Sequence, residues 1–96
     1  LTTNTSNLKA AHEASFANEK QIKNSQTCGC FFCLNKYPSK QVVDWVNEEQ
    51  KARTGICPEC GIDSVLGDAS GYPVSEEAFL QQMQEFFFGQ VDFPTE

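Results

Sequence analysis

Apolar and polar positions alternate in blocks along this chain, and each block predicts an element. Residues 1–7 are small and polar and read as a frayed terminus. From there Leu8, His12 and Phe16 recur four apart, with Ile22 near the same side. That spacing predicts an amphipathic helix over residues 8–24 with a thin apolar stripe, capped by Ser6 or Asn7. So thin a stripe cannot hold a helix alone and must dock on the rest. Pro38-Ser39 then opens a second predicted helix. Ser39 is its N-cap, Val42, Val43, Trp45 and Val46 its buried side, and it fades around Glu49–Ala52.

Residues 54–67 alternate differently. Ile56, Ile62, Val65 and Leu66 flank a cysteine turn and predict a short hairpin-like segment. A loop follows over residues 68–74. Ser75 predicts the cap of a third helix, with Glu76 and Glu77 favourably placed against its dipole. Val74 and Phe79 have the spacing of a hydrophobic staple. Phe79, Leu80, Met83, Phe86 and Phe87 mark the packing side, and Gly89 is the expected stop. Phe86-Phe87-Phe88 cannot all face one core, because consecutive helical residues point about 100° apart. An exposed aromatic surface is the expected consequence. Phe31 and Phe32 in the first cysteine turn raise the same problem, and Phe93 lies in a tail over residues 90–96.

Cysteine spacing changes this picture most. Cys30-Phe-Phe-Cys33 and Cys57-Pro-Glu-Cys60-Gly61 are two C-x2-C pairs. Each such turn places two thiolates on one side of a metal, and two facing turns close a tetrahedral shell. Cys30, Cys33, Cys57 and Cys60 are therefore the expected ligands of a structural ion. Zinc is expected, and iron of rubredoxin type uses the same pairs. Four thiolates leave no open position for substrate. Gly61 allows close backbone approach after the second pair.

Cys28 is a fifth thiol, two residues before a ligand. It reads as a spare thiol, as a substitute for Cys30, or as a reactive group. His12 is the only histidine and reads as a packed residue of the helix stripe, or as a ligand or a base. The acidic stretch Asp63, Ser64, Asp68, Ser70 and Tyr72 reads as turn chemistry or as a polar site beside the second cysteine turn. No Ser-His-Asp or Cys-His-Asp set can be assigned, and a non-enzymatic protein is expected.

Length and charge bound the rest. Ninety-six residues suffice for one small domain, expected over residues 8–89, that needs a staple. The expected fold is a small, helix-rich α+β protein: three helices around a zinc-ribbon-like paired cysteine-knuckle site. No apolar run is long enough to span a membrane. No basic-then-apolar leader heads the sequence, and closely spaced cysteines favour a reducing cytoplasm. The net charge is −6, and residues 61–96 hold seven acids and no Lys or Arg. Such a field argues against nucleic acid as a general partner and steers basic partners, while the exposed aromatic surface beside it suits a protein partner or a homodimer.

The series Cys28-Gly-Cys-Phe-Phe-Cys33, Trp45, Ile56-Cys-Pro-Glu-Cys-Gly-Ile-Asp-Ser-Val-Leu-Gly67 and Ser70-Gly-Tyr-Pro73 resembles a family of small, uncharacterised bacterial cytoplasmic proteins. Its members carry a similar cysteine pair, a Cys-Pro-x-Cys-Gly-Ile-Asp-Ser-Val run and a C-terminal aromatic helix. The resemblance covers roughly residues 12–88. It implies a bacterial cytoplasmic zinc protein and lends no catalytic residues. Three functions follow as expectations. The first is a zinc-stabilised interaction protein, in one version an immunity- or antitoxin-like inhibitor of a basic toxin. The second is a thiol enzyme or redox sensor using Cys28. The third is a nucleic-acid-binding zinc ribbon.

Overall fold

A computed structural model describes residues 5–49 and 52–89. In chain order these form α1 (Thr5–Ala14), α2 (Glu19–Lys23), β1 (Thr27–Cys30), β2 (Lys36–Pro38), β3 (Trp45–Val46), β4 (Thr54–Gly55), β5 (Val65–Gly67) and α3 (Glu77–Phe88). One-turn 3-10 segments follow β2 and β5, at Ser39–Gln41 and Asp68–Ser70. The result is a small α+β protein with three α-helices and two small antiparallel sheets.

The larger sheet has the order β2-β1-β5, with Cys28 opposite both Tyr37 and Gly67, and Cys30 opposite Val65. Strand side chains point alternately to opposite faces, and here that alternation divides the core in two. Cys28, Cys30 and Val65 face a cluster with Ile22, Tyr37, Val42 and Cys57. Leu66 faces the other cluster, in which Leu8 and Ala11 of α1 and Phe79, Leu80 and Met83 of α3 pack with Phe31 and Val74. Gly29, between the two cysteines, lies under α3. A Cβ there would come within 2.6 Å of the Val74 carbonyl oxygen. The smaller sheet pairs Trp45 with Gly55 and Val46 with Thr54. Asn18, 3% exposed, ties the two sheets together. Its Nδ2 donates to the Val65 carbonyl (2.8 Å), and its Oδ1 accepts from the Gly55 amide (2.9 Å).

The two cysteine turns are built alike. Each runs from a strand through C-x2-C, a residue of left-handed conformation and a second strand into a 3-10 turn. The left-handed residue is Leu34 (φ 66°) in the first copy and Gly61 (φ 80°) in the second. The Leu34 amide donates to the Cys30 carbonyl and the Gly61 amide to the Cys57 carbonyl, both at 2.9 Å. The Cys30 and Cys57 amides in turn donate to the carbonyls of Asn35 and Ile62. Sequence reading finds the paired turns but not the repeat around them, because only the cysteines are shared as letters.

Several expected elements form differently. The helix expected over 8–24 breaks at Ser15–Asn18, where Ala17 takes φ 52° and Asn18 turns inward to the sheets. Its buried side is Leu8, Ala11 and Ser15, whereas His12 and Phe16 are exposed. Neither Ser6 nor Asn7 caps it, since the helix already includes Thr5. No α-helix forms over 39–52 among the described residues. Val42 points inward and Val43 outward, Trp45 and Val46 pair with β4, and the β-branched residues suit a strand better than a helix. Strands β4 and β5 exist but pair with β3 and β1, not with each other as a hairpin.

The third helix starts at Glu77 without a side-chain cap from Ser75, packs Phe79, Leu80 and Met83 inward, and stops at Gly89 (φ 68°). Val74 and Phe79 of the expected staple share one core cluster. Phe93 and the expected tail at 90–96 lie outside the described residues, as do the first four residues of the expected frayed terminus.

Candidate metal centre

Strand β1 delivers Cys30 at its end, and strand β4 leads into Cys57 two residues later. The C-x2-C turn brings the second cysteine of each pair back beside the first, and the left-handed residue that follows it, Leu34 or Gly61, closes the turn onto the carbonyl of the first. The sulfurs of Cys30, Cys33, Cys57 and Cys60 all lie within 4.8 Å of one another. Two close approaches cross between the pairs: Cys30 Sγ to Cys60 Sγ is 3.6 Å, and Cys33 Sγ to Cys57 Sγ is 3.7 Å. A tetrahedral thiolate site with metal–sulfur bonds of about 2.3 Å has edges of about 3.8 Å. The four cysteines thus form a donor set that could hold one metal ion. Four-thiolate iron has nearly the same edges, so this geometry defines the donors rather than the element.

Polar groups around the sulfurs are unevenly shared. Cys30 Sγ receives the amides of Phe32 (3.3 Å) and Cys33 (3.5 Å) and lies 3.1 Å from the Ser64 hydroxyl. Cys57 Sγ receives the Glu59 amide (3.3 Å). The Tyr37 hydroxyl also acts on the Cys57 sulfur electrostatically, but it is buried and makes no hydrogen bond of normal geometry. Cys33 Sγ receives Asn35 Nδ2 at 3.3 Å. Such donors orient metal-bound thiolates and stabilise their charge.

Burial raises the Cys30 thiol far above its ordinary value despite the nearby amides and Ser64. It also pushes Cys60 up to about 11. At Cys57 burial raises, but Tyr37, the amides of Cys60 and Glu59 and the Cys33 thiol together outweigh it and hold the group below its ordinary value. Burial drives the Tyr37 phenol well above its usual range, with Cys57 next in effect. A bound cation reverses this tendency for its ligands, because it deprotonates a coordinating thiol outright.

Cys28 stands apart from the four. It is completely buried in the centre of β1, and burial, then the Asp68 carboxylate, push its thiol up to about 12. A buried, protonated thiol is a poor nucleophile. His12 joins no metal-ligating group among the described residues and stacks on Phe87 at 4.3 Å. In the acidic stretch, Asp68 accepts from the Gln26 and Thr27 amides, and the Ser70 hydroxyl accepts from the Tyr72 amide. The Ser70 contact is a local turn, whereas Asp68 ties its 3-10 segment to the start of β1, 41 and 42 residues away. Ser64 alone of that stretch reaches the cysteine cluster, while Asp63 is exposed. Tyr37 and Asn35 belong to the surroundings of the sulfurs and have no motif of their own. The one signal was their place within four residues of Cys33.

The chain matches no protein-family model, no curated protein and no solved structure. Among the described residues no helix is long and apolar enough to cross a membrane.

Proposed function

We propose that the four cysteines hold one structural zinc ion in a zinc-ribbon-like centre and that the protein acts by binding another protein. The sulfur–sulfur separations of 3.6 and 3.7 Å carry the metal part of this reading. The donor set is closed, so the ion supplies stability rather than catalysis. The resemblance to small bacterial cytoplasmic proteins supports the same setting.

The interaction part rests on α3. Phe86 and Phe88 remain exposed at its end, and Phe88 packs edge-on against Phe32 of the first cysteine turn at 4.8 Å. Residues 61–96 carry no cation. An aromatic patch on an acidic element suits a basic protein with an apolar contact surface, and an immunity-like inhibitor is the most concrete form of that partner.

Elemental analysis of the native protein tests the centre. One zinc per chain in a colourless sample, with cooperative loss of structure on chelation, is the expected result. A red, visible-absorbing sample would assign iron instead. No metal would overturn the reading. A salt-sensitive complex with a basic protein, lost in Phe86→Asp/Phe88→Asp, would support the interaction role, and capture unchanged by that variant would remove it.

A further inference from the structure

The four sulfurs divide into an inner and an outer half, and the division cuts across both turns. Cys30 and Cys57 are buried, whereas Cys33 and Cys60 are partly exposed. The neighbours of the outer two along the chain, Asn35, Glu59 and Gly61, are exposed as well. Each outer sulfur lies against an inner sulfur of the opposite turn. Cys33 Sγ is 3.7 Å from Cys57 Sγ, and Cys60 Sγ is 3.6 Å from Cys30 Sγ. Every accessible sulfur therefore has a shielded partner in contact, and that partner belongs to the other turn.

This arrangement suits oxidation that begins at the surface and is completed from within. Exposure decides which sulfur an oxidant meets, and the thiolate beside it decides which disulfide follows. A disulfide inside one C-x2-C pair would leave the two turns unlinked. A disulfide across the turns takes over the ion's task of holding them together. It joins positions 24 or 30 residues apart, and so restricts the chain far more than a bond within one turn. Cys28 stands outside the set: it is completely buried and is not one of the four clustered sulfurs. Glu59 and Asp63 place exposed carboxylates on either side of Cys60, which favours a small neutral oxidant over an anionic one.

We propose that the cysteine centre is a site of oxidation by small hydroperoxides, in which the metal ion is exchanged for the cross-turn disulfides Cys33–Cys57 and Cys30–Cys60. In each pair the outer thiolate attacks the hydroperoxide. An S–O bond forms, the O–O bond breaks, and the departing hydroxide or alkoxide takes a proton from water. The inner thiolate then attacks the sulfenic sulfur, so that the S–S bond forms and hydroxide leaves. Two electrons pass from each thiolate pair to one hydroperoxide, and the metal ion leaves with its charge unchanged. The inference rests on the metal reading for what is released, but not for which sulfurs join.

The test uses the full, metal-loaded chain and excess hydrogen peroxide. A chromogenic chelator reports released metal against an untreated control, and peptide mass mapping without reductant reports the bonds. Loss of the bound metal is expected, with both cross-turn disulfides, a remaining thiol at Cys28 and a circular dichroism spectrum close to that of the loaded protein. The reduced, chelated chain loses its structure instead. Dithiothreitol with added zinc should restore the loaded state. Cys28→Ala should give the same two bonds in the same yield. Disulfides within the C-x2-C pairs, a bond to Cys28, or sulfinic acid at Cys33 or Cys60 without a disulfide would each overturn the proposal. So would retention of the metal under excess peroxide, or an oxidised chain as unfolded as the chelated one. Glutathione disulfide reacting as fast as hydrogen peroxide overturns it in favour of a general thiol-exchange site. If the native protein holds no metal, the metal reading fails, while mapping of the metal-free chain still decides between cross-turn and within-turn bonds.

Discussion

The Ser64 hydroxyl lies 3.1 Å from Cys30 Sγ, both side chains buried, and it reaches the first cysteine turn from the chain that follows the second. That contact belongs to an inner half of the cluster. Cys30 and Cys57, the leading residue of each pair, are buried and surrounded by donors. Cys33 and Cys60 are partly exposed.

Removing the hydroxyl leaves the Cys30 thiolate with its amide donors alone. Ser64→Ala is expected to lower zinc affinity by about tenfold, the lower end of the usual effect of losing such a supporting contact. Competition against a chromogenic chelator measures it, and unchanged affinity would show that Ser64 only fills space.

Tyr37→Phe asks the same of Cys57. The Tyr37 hydroxyl is buried with no well-formed hydrogen bond, a costly arrangement unless a charged acceptor faces it. A Cys57 thiolate would be that acceptor once a metal ion is bound. Tyr37→Phe is expected to weaken metal binding and to shift the sulfur-to-metal charge-transfer band of the cobalt-substituted protein. An unmoved band would mean that the hydroxyl does not address the sulfur.

The repeated turn predicts unequal tolerance of different residues at Gly61, one of its two left-handed positions. Gly61 is exposed, and a Cβ there would touch nothing within 4 Å, so substitution acts through the backbone alone. Gly61→Ala should cost about 1 kcal/mol, and Gly61→Asn less, because asparagine enters the left-handed region more readily. Denaturant unfolding of the metal-loaded protein measures both. Equal costs would argue against a left-handed turn at this position.

How much of this was legible beforehand depended on whether the deciding contacts were local. The four cysteines could be read because C-x2-C carries its geometry within four residues. The third helix could be read from Phe79, Leu80 and Met83, whose spacing matches one helical face. The segment after Pro38 could not. Val42, Val43, Trp45 and Val46 fit a helical stripe on paper, but the pairing of Trp45 with Gly55 and Val46 with Thr54 decides their conformation, and those partners lie eight to ten residues away. The break at Ala17 is similar: Asn18 leaves the helix to bond Gly55 and Val65, and no local pattern announces that. Ser64 looked like turn chemistry because its partner, Cys30, is 34 residues distant.

Gly29 sits where the sheet meets α3. Gly29→Ala would place a methyl group 2.6 Å from the Val74 carbonyl and 3.2 Å from Leu80 Cδ1. The leucine can rotate, but the carbonyl belongs to the backbone leading into α3. A loss of about 1–3 kcal/mol is expected, with α3 displaced from β1. Thermal unfolding and the near-ultraviolet signal of the aromatic cluster report it. A variant as stable as the parent would mean that α3 packs less closely than the structure shows.

Thiol reactivity separates Cys28 from its neighbours. In the metal-loaded protein, Cys30, Cys33, Cys57 and Cys60 are expected to be held as ligands. Cys28 is shielded by burial, with its thiol pushed up to about 12, so that at neutral pH it is protonated as well as inaccessible. Iodoacetamide should therefore label none of the five thiols quickly at neutral pH, and denaturant with chelator should expose all five. Partial metal removal should label Cys33 and Cys60 before Cys30 and Cys57, following their exposure. Mass spectrometry of the labelled peptides decides between outcomes. Slow labelling of Cys28, only as fast as the protein unfolds, leaves the fifth thiol a packed core residue. Fast labelling of Cys28 in the loaded protein would return thiol chemistry to the leading place and set aside the structural reading of the cysteine-rich strand.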